Sequence, residues 1–112
     1  MPVTPLDKER EPKMGIQQFT IIQDAEGIFR LKGELTILDI EYLKEFLDTT
    51  LGRVKKIFLD MAEVTYADTA SLQLLIAFRR SLKPEIEWQI LGLSPELDMI
   101  VTVSGLKTFL VE

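Results

Sequence analysis

The chain has 112 residues, 46% of them hydrophobic, and a formal net charge of -5 at pH 7. That fits one small domain with a real core and excludes a disordered chain. No Lys/Arg cluster exceeds two adjacent residues, which argues against a nucleic-acid surface or a polybasic membrane anchor. Cysteine and histidine are both absent, removing disulfides, thiolate metal sites, a thiol nucleophile and the commonest general base.

No apolar stretch approaches the roughly 18 residues of a membrane-spanning helix, and the N-terminus lacks the apolar centre of a signal peptide. The expectation is a soluble cytoplasmic domain with no direct membrane insertion. Residues 1–14 are proline-rich and charged, and read as a mobile N-terminal arm ahead of a single domain over 15–112. A short edge strand is the other reading of that arm.

Residues 17–23 look like a strand, and Asp24-Ala25-Glu26-Gly27 is a turn signal with Gly27 able to take positive φ. Ile28 to Lys32 alternates, with Phe29 and Leu31 on one face, so the two segments form a hairpin. A helix follows. Asp39 is its better N-cap and Thr36 a possible earlier one. Ile40, Leu43, Leu47 and Leu51 form its stripe, and Gly52 sits where a left-handed residue would end it. Val54 to Asp60 reads as a strand, and its continuous Ile57-Phe58-Leu59 suits burial on both faces. A short polar connection then leads to Asp68.

A second helix spans about Thr69 to Leu82, with Leu72, Leu75, Ile76 and Phe78 as core candidates. Arg79 and Arg80 complement the dipole at its end. Pro84 stops it. Glu85 to Leu91 alternates, with Ile86, Trp88 and Ile90 on one face. Ser94 caps a third helix with Pro95 in its first position. Leu97, Ile100 and Val101 are its buried stripe, and Ser104-Gly105-Leu106 ends it. Met99 and Val103 fall off that stripe as an exposed pair that could enlarge a partner or dimer surface. Phe109 to Val111 reads as a short terminal segment. The order is β-β-α-β-α-β-α. Helices between strands impose parallel pairing, so the fold class is α/β with a mixed sheet of four to five strands.

The chemistry concentrates at Asp68 and Thr69. A hydroxyl beside a carboxylate at a helix mouth is either part of a cap or a modifiable switch. From the residues alone, Asp68 is an N-cap and Thr69 an ordinary first-turn residue. Ser71 is a helix-start residue or a second acceptor. Asp60 is a strand-end residue holding the next turn, or one edge of a partner groove. Asp24, Glu26, Glu34, Asp39 and Glu41 lack calcium-loop spacing and read as a solvated face. There is no Walker-type glycine loop. No metal or cofactor is expected.

Gly33-Glu34-Leu35 ahead of the first helix, Phe58-Leu59-Asp60 followed by Val64-Thr65-Tyr66-Ala67-Asp68-Thr69, Ile90-Leu91-Gly92-Leu93-Ser94-Pro95 and Val103-Ser104-Gly105-Leu106 together resemble the STAS domain. That is the fold of bacterial anti-sigma factor antagonists and of the cytoplasmic tails of sulphate transporters. The resemblance runs from about Phe19 to Leu110. In the family, the junction reads Asp-Ser/Thr-Ser/Thr/Ala-Gly-Leu, and its first hydroxyl is phosphorylated by a kinase partner. Asp68, Thr69, Ala70 and Leu72 match. Ser71 stands where glycine is usual and is expected to add bulk against a close partner. The ending soon after Leu106 resembles the compact branch that includes the STAS subunit of a bacterial lipid-asymmetry transporter.

The resemblance implies a non-enzymatic regulatory module, antagonist-like, that binds an anti-sigma factor and serine/threonine kinase of histidine-kinase-like ATPase fold. Thr69 would carry the phosphate. The partner would contact Val64, Thr65, Tyr66, Ala67, Asp68, Thr69, Ala70 and Ser71. The alternative is a STAS subunit docked on the ATPase of a membrane lipid transport complex, with no phosphate cycle. A monomer or weak homodimer is expected. A small enzyme is the third reading, and nothing in the sequence supplies its chemistry.

Overall fold

The computed structural model describes residues 18–111, so the expected N-terminal arm lies outside the described residues. Strand β1 (Phe19–Gln23) turns through Asp24–Gly27 into β2 (Phe29–Leu35). The turn is built as its residues suggest. Gly27 has φ +87°, and the Asp24 carboxylate accepts from the N–H groups of Glu26 and Ile28. A second glycine has a harder constraint. Gly33 has φ +109°, and a Cβ there would lie 2.2 Å from the Gln18 carbonyl oxygen.

The first helical segment is irregular. A 3-10 turn (Ile37–Asp39) leads into α1 (Ile40–Glu45), a π turn (Phe46–Thr50) and a second 3-10 turn (Leu51–Arg53). Leu43, Phe46, Leu47 and Leu51 are all buried, and the wider π turn keeps Leu51 over the core after Leu47. Two expectations are corrected here. Thr36, not Asp39, caps the segment, its hydroxyl accepting from Leu38 N–H at 3.3 Å. Asp39 instead accepts from Gln18 N–H at 2.8 Å. Gly52 does not take a positive φ. The 3-10 turn around it ends the helix without a left-handed residue.

Strand β3 (Lys56–Ala67) is followed by α2 (Thr69–Arg80), β4 (Glu87–Leu93), α3 (Pro95–Val103) and the short α4 (Lys107–Val111). The sheet order is β1-β2-β3-β4. The first pair is antiparallel and the other two are parallel, giving the expected mixed sheet of four strands.

The expected end of β3 at Asp60 is wrong, because the strand continues seven residues further. Its buried positions explain why. Ile57, Leu59 and Met61 follow period two, but the next buried residues are Val64 and Ala67. Register shifts against β2 fall between Arg30/Lys32 and between Gly33/Glu34, with one extra β3 residue each time. These bulges re-aim the chain. Asp60 therefore sits inside the strand, where its carboxylate accepts from Ala62 N–H at 2.9 Å.

The sheet is covered on one face, where its side chains and those of α1–α4 join one apolar cluster. The expected burial of β3 on both faces does not occur. Arg30, Lys32 and Gln89 are exposed on the other face, with Asp60 and Phe58 partly covered. Cross-strand charges serve that face: Arg30 pairs with Asp60 and Asp24, and Lys32 with Glu63 at 3.5 Å. A parallel pair is normally covered on both sides; here these ion pairs accompany solvent exposure.

The later helix ends follow the sequence reading. Ser94 caps α3, accepting from Leu97 N–H at 2.9 Å, with Pro95 in the first turn. Gly105, at φ +76°, ends it. Leu106 N–H reaches Val101 carbonyl at 2.9 Å and Gly105 N–H reaches Thr102 carbonyl at 3.2 Å, the paired bonds of a Schellman stop.

Candidate functional site at the start of α2

Strands β2 and β3 are parallel, so their C-terminal ends meet at one edge of the fold. The 3-10 turn after β2 and the start of α2 after β3 therefore lie side by side. One residue joins them. The Asp68 N–H donates to Leu35 carbonyl at 2.9 Å. One oxygen of its carboxylate accepts from Ser71 N–H at 2.9 Å, capping α2. The other accepts from Ile37 N–H at 2.7 Å. Asp68 is thus both a helix cap and a clamp on the neighbouring turn.

The electrostatics follow from those bonds. Partial burial pushes the Asp68 carboxyl up, but N–H donation from Ser71 and Ile37, helped by the Ser71 hydroxyl, outweighs it. The net effect holds Asp68 below the ordinary carboxylate range. A fixed negative charge therefore sits beside Thr69 at neutral pH.

Thr69 and Ala70 are exposed in the first turn of α2. Their N–H groups find no partner among the described residues, as expected for the first positions of a helix. The site thus presents a hydroxyl, two free amides and one carboxylate.

Apart from Tyr66, the apolar part of this surface was not found by sequence reasoning. Ile37 is 61% exposed and Leu38 78% exposed, on the turn that Asp68 clamps. Tyr66, 45% exposed, stands beside Glu34 at the end of β3. The available signal was Ile37-Leu38 itself, two large apolar residues in a row just ahead of a helix whose stripe used neither.

Of the eight residues expected to meet a partner, Thr65, Tyr66, Thr69 and Ala70 are exposed and Asp68 is partly so. Val64, Ala67 and Ser71 are corrected: each is buried, Val64 and Ser71 completely. The β3 bulges turn Val64 and Ala67 onto the core face, and the Val64 carbonyl accepts from the Ser94 hydroxyl. Ser71 points inward from α2. Its hydroxyl makes no well-formed hydrogen bond, although it lies near enough to Asp68 to help lower that pKa. Ser71 therefore adds no bulk to the outer face and offers no second accessible hydroxyl.

The STAS domain family matches residues 18–111. The chain belongs to the STAS domain family. Solved structures agree at the level of fold. An anti-sigma factor antagonist from Mycobacterium paratuberculosis superposes with a TM-score of 0.67 at 17% identity, covering 80% of each chain. The unphosphorylated form of the anti-sigma factor antagonist SpoIIAA gives 0.59 at 20% identity, over 81% of this chain and 84% of that one. The phosphorylated form of SpoIIAA, a Bacillus cell fate determinant, gives 0.53 at 19% identity, over 81% and 86%. Among curated proteins no sequence relative matches. In this STAS domain, no helix among the described residues is long and apolar enough to cross a membrane.

Proposed function

We propose that this STAS domain is a non-enzymatic, cytoplasmic binding module of the anti-sigma factor antagonist type, with Thr69 at the centre of its docking patch. The observation that carries this reading is the exposed Ile37–Leu38 pair, on the turn that Asp68 clamps, next to an exposed Thr69. Exposed apolar residues around a central hydroxyl give a partner area to bury. The solved antagonists of the same fold support the choice of class. The partner is an ATPase of histidine-kinase-like fold that is also the kinase for Thr69.

Phosphorylation would end the contact for a local reason. A phosphate brings about -1.5 to -2 charges at pH 7. The free N–H groups of Thr69 and Ala70 can donate to its oxygens, so the fold tolerates the group. The patch does not: Asp68 already carries negative charge there, and Ile37 and Leu38 can no longer be covered without desolvating the phosphate. A loss of about 3 kcal/mol corresponds to roughly a hundredfold weaker binding.

The transporter-subunit reading loses one of its supports, because Ser71 faces the core rather than the partner. Titration of wild type, Thr69→Ala and Thr69→Glu against purified ATPase partners of both kinds tests the choice. The expected result is tight binding of wild type and Thr69→Ala to the kinase-like ATPase, and roughly a hundredfold loss for Thr69→Glu. Equal affinity of all three forms, or binding to the transporter ATPase alone, contradicts it.

A further inference from the structure

A second feature lies on the same helix, away from Thr69. Gln73, Ile76, Ala77 and Arg80 of α2, with Leu106 and Phe109, line an open groove between α2 and α4. Its floor is apolar, and Phe109 is left 49% exposed. The Arg80 guanidinium lies over the Phe109 ring, 5.7 Å from its centroid, and makes no ion pair among the described residues.

The neighbouring arginine does something different. Arg79 donates to the Phe109 carbonyl at 2.8 Å, and Trp88 donates to the Leu110 carbonyl at 3.0 Å. These two side chains pin α4 by its last carbonyls, so the groove wall is fixed. Arg79 is spent on structure, whereas Arg80 is left with its donors free.

We propose that this groove is a second docking subsite, which takes an apolar peptide segment bearing a carboxylate. The inference rests on the reading of Thr69 as a docking centre, because the partner that covers Thr69 is the source of that segment. Thr69, Gln73, Ile76 and Arg80 fall on one stripe of α2. Arg80 is roughly 16 Å from Thr69 by helical rise, within the span of a standard interface of about 800 Å² per partner. Charge complementarity specifies the occupant. An unpaired guanidinium stacked on an aromatic face is preorganised for two parallel bonds to a carboxylate. Ile76, Ala77, Leu106 and the Phe109 ring supply the contact for the apolar side chains beside it. The two subsites then carry opposite charge, Asp68 at one end of the stripe and Arg80 at the other. A partner is thereby fixed in one orientation.

The probe is a short synthetic peptide alternating leucine and glutamate, with a leucine–glutamine peptide as control. Each is titrated into the isotope-labelled chain and followed by amide NMR. The expected result is saturable shifts at Gln73, Ala77, Arg80 and Phe109 with the acidic peptide only, weakening as salt rises. Arg80→Gln should reduce that affinity about tenfold and lower the melting temperature less than Arg79→Gln does. Equal binding of both peptides, no localised shifts at millimolar peptide, or an unaffected Arg80→Gln variant overturns the proposal. Thr69→Glu should leave the peptide titration unchanged, which separates the two readings. A groove that binds while Thr69→Glu still captures the ATPase leaves the subsite standing and removes the switch.

Discussion

Helices α2 and α3 begin in nearly the same way. Each follows the end of a parallel strand, and each is capped by a side-chain oxygen accepting from the N–H three residues on, at 2.9 Å. What differs is the surroundings. At α3 the cap is Ser94, buried, with its hydroxyl donated to the Val64 carbonyl of β3. At α2 the cap is Asp68, partly exposed, with its second oxygen holding the Ile37 turn. The α3 cap is sealed against the sheet, with Pro95 and Glu96 after it exposed; the α2 cap is open and flanked by apolar side chains. A cap alone therefore says nothing about function. The exposed groups that the cap holds in place decide it.

Each helix start can be perturbed by a single substitution. The largest effect on stability is expected for Ser94→Ala. It removes the α3 cap and leaves the buried Val64 carbonyl unpaired, and should cost about 2 kcal/mol or more in chemical denaturation. Asp68→Ala should cost less, about 1–2 kcal/mol, because water can reach the freed amides. It should also speed hydrogen exchange at Ile37, which a plain cap would not do. An unchanged Ile37 amide would show that the clamp is not real. Thr69→Ala and Thr69→Glu should each stay within about 0.5 kcal/mol of wild type, as exposed first-turn substitutions do. A large destabilisation there would mean that Thr69 belongs to the fold rather than to a partner.

Acid should sharpen the same contrast. The Asp68 carboxyl is held below its ordinary value in the folded chain. Its contribution is therefore fully present above the ordinary carboxylate range, and is lost as pH falls through the depressed folded value. The stability gap between wild type and Asp68→Asn should shrink over that acid interval. Ser94 does not titrate, so the gap between wild type and Ser94→Ala should remain. A gap for Asp68→Asn that is constant with pH would contradict the assigned bonds.

Much of this was legible in the residues. Turn chemistry placed Gly27, Ser94-Pro95 and Gly105 correctly, because each depends on local geometry alone. The Asp68 cap was legible for the same reason. The reach of β3 to Ala67 was not, since two bulges break the period-two signal between Met61 and Ala67. That failure hid the inward aim of Val64 and Ala67. Ser71 was misplaced for a related reason: a short polar residue near a helix start usually faces out, and here it is buried with its hydroxyl poorly satisfied. The bond from Ile37 N–H to Asp68 spans 31 residues of sequence, a distance no local pattern carries. The adjacent Ile37 and Leu38 outside the helix stripe hinted at exposed apolar surface, but their place in the site follows from the parallel pairing of β2 with β3, which sets them beside Thr69.

Hydrogen exchange of the chain bound to its ATPase partner tests the docking assignment most directly. Amides of Ile37, Leu38, Thr69 and Ala70 should slow markedly on complex formation, while those around Ser94 at the start of α3 remain as they were. Protection confined to the open sheet face or to Met99 and Val103, with the Thr69 region unaffected, would contradict it.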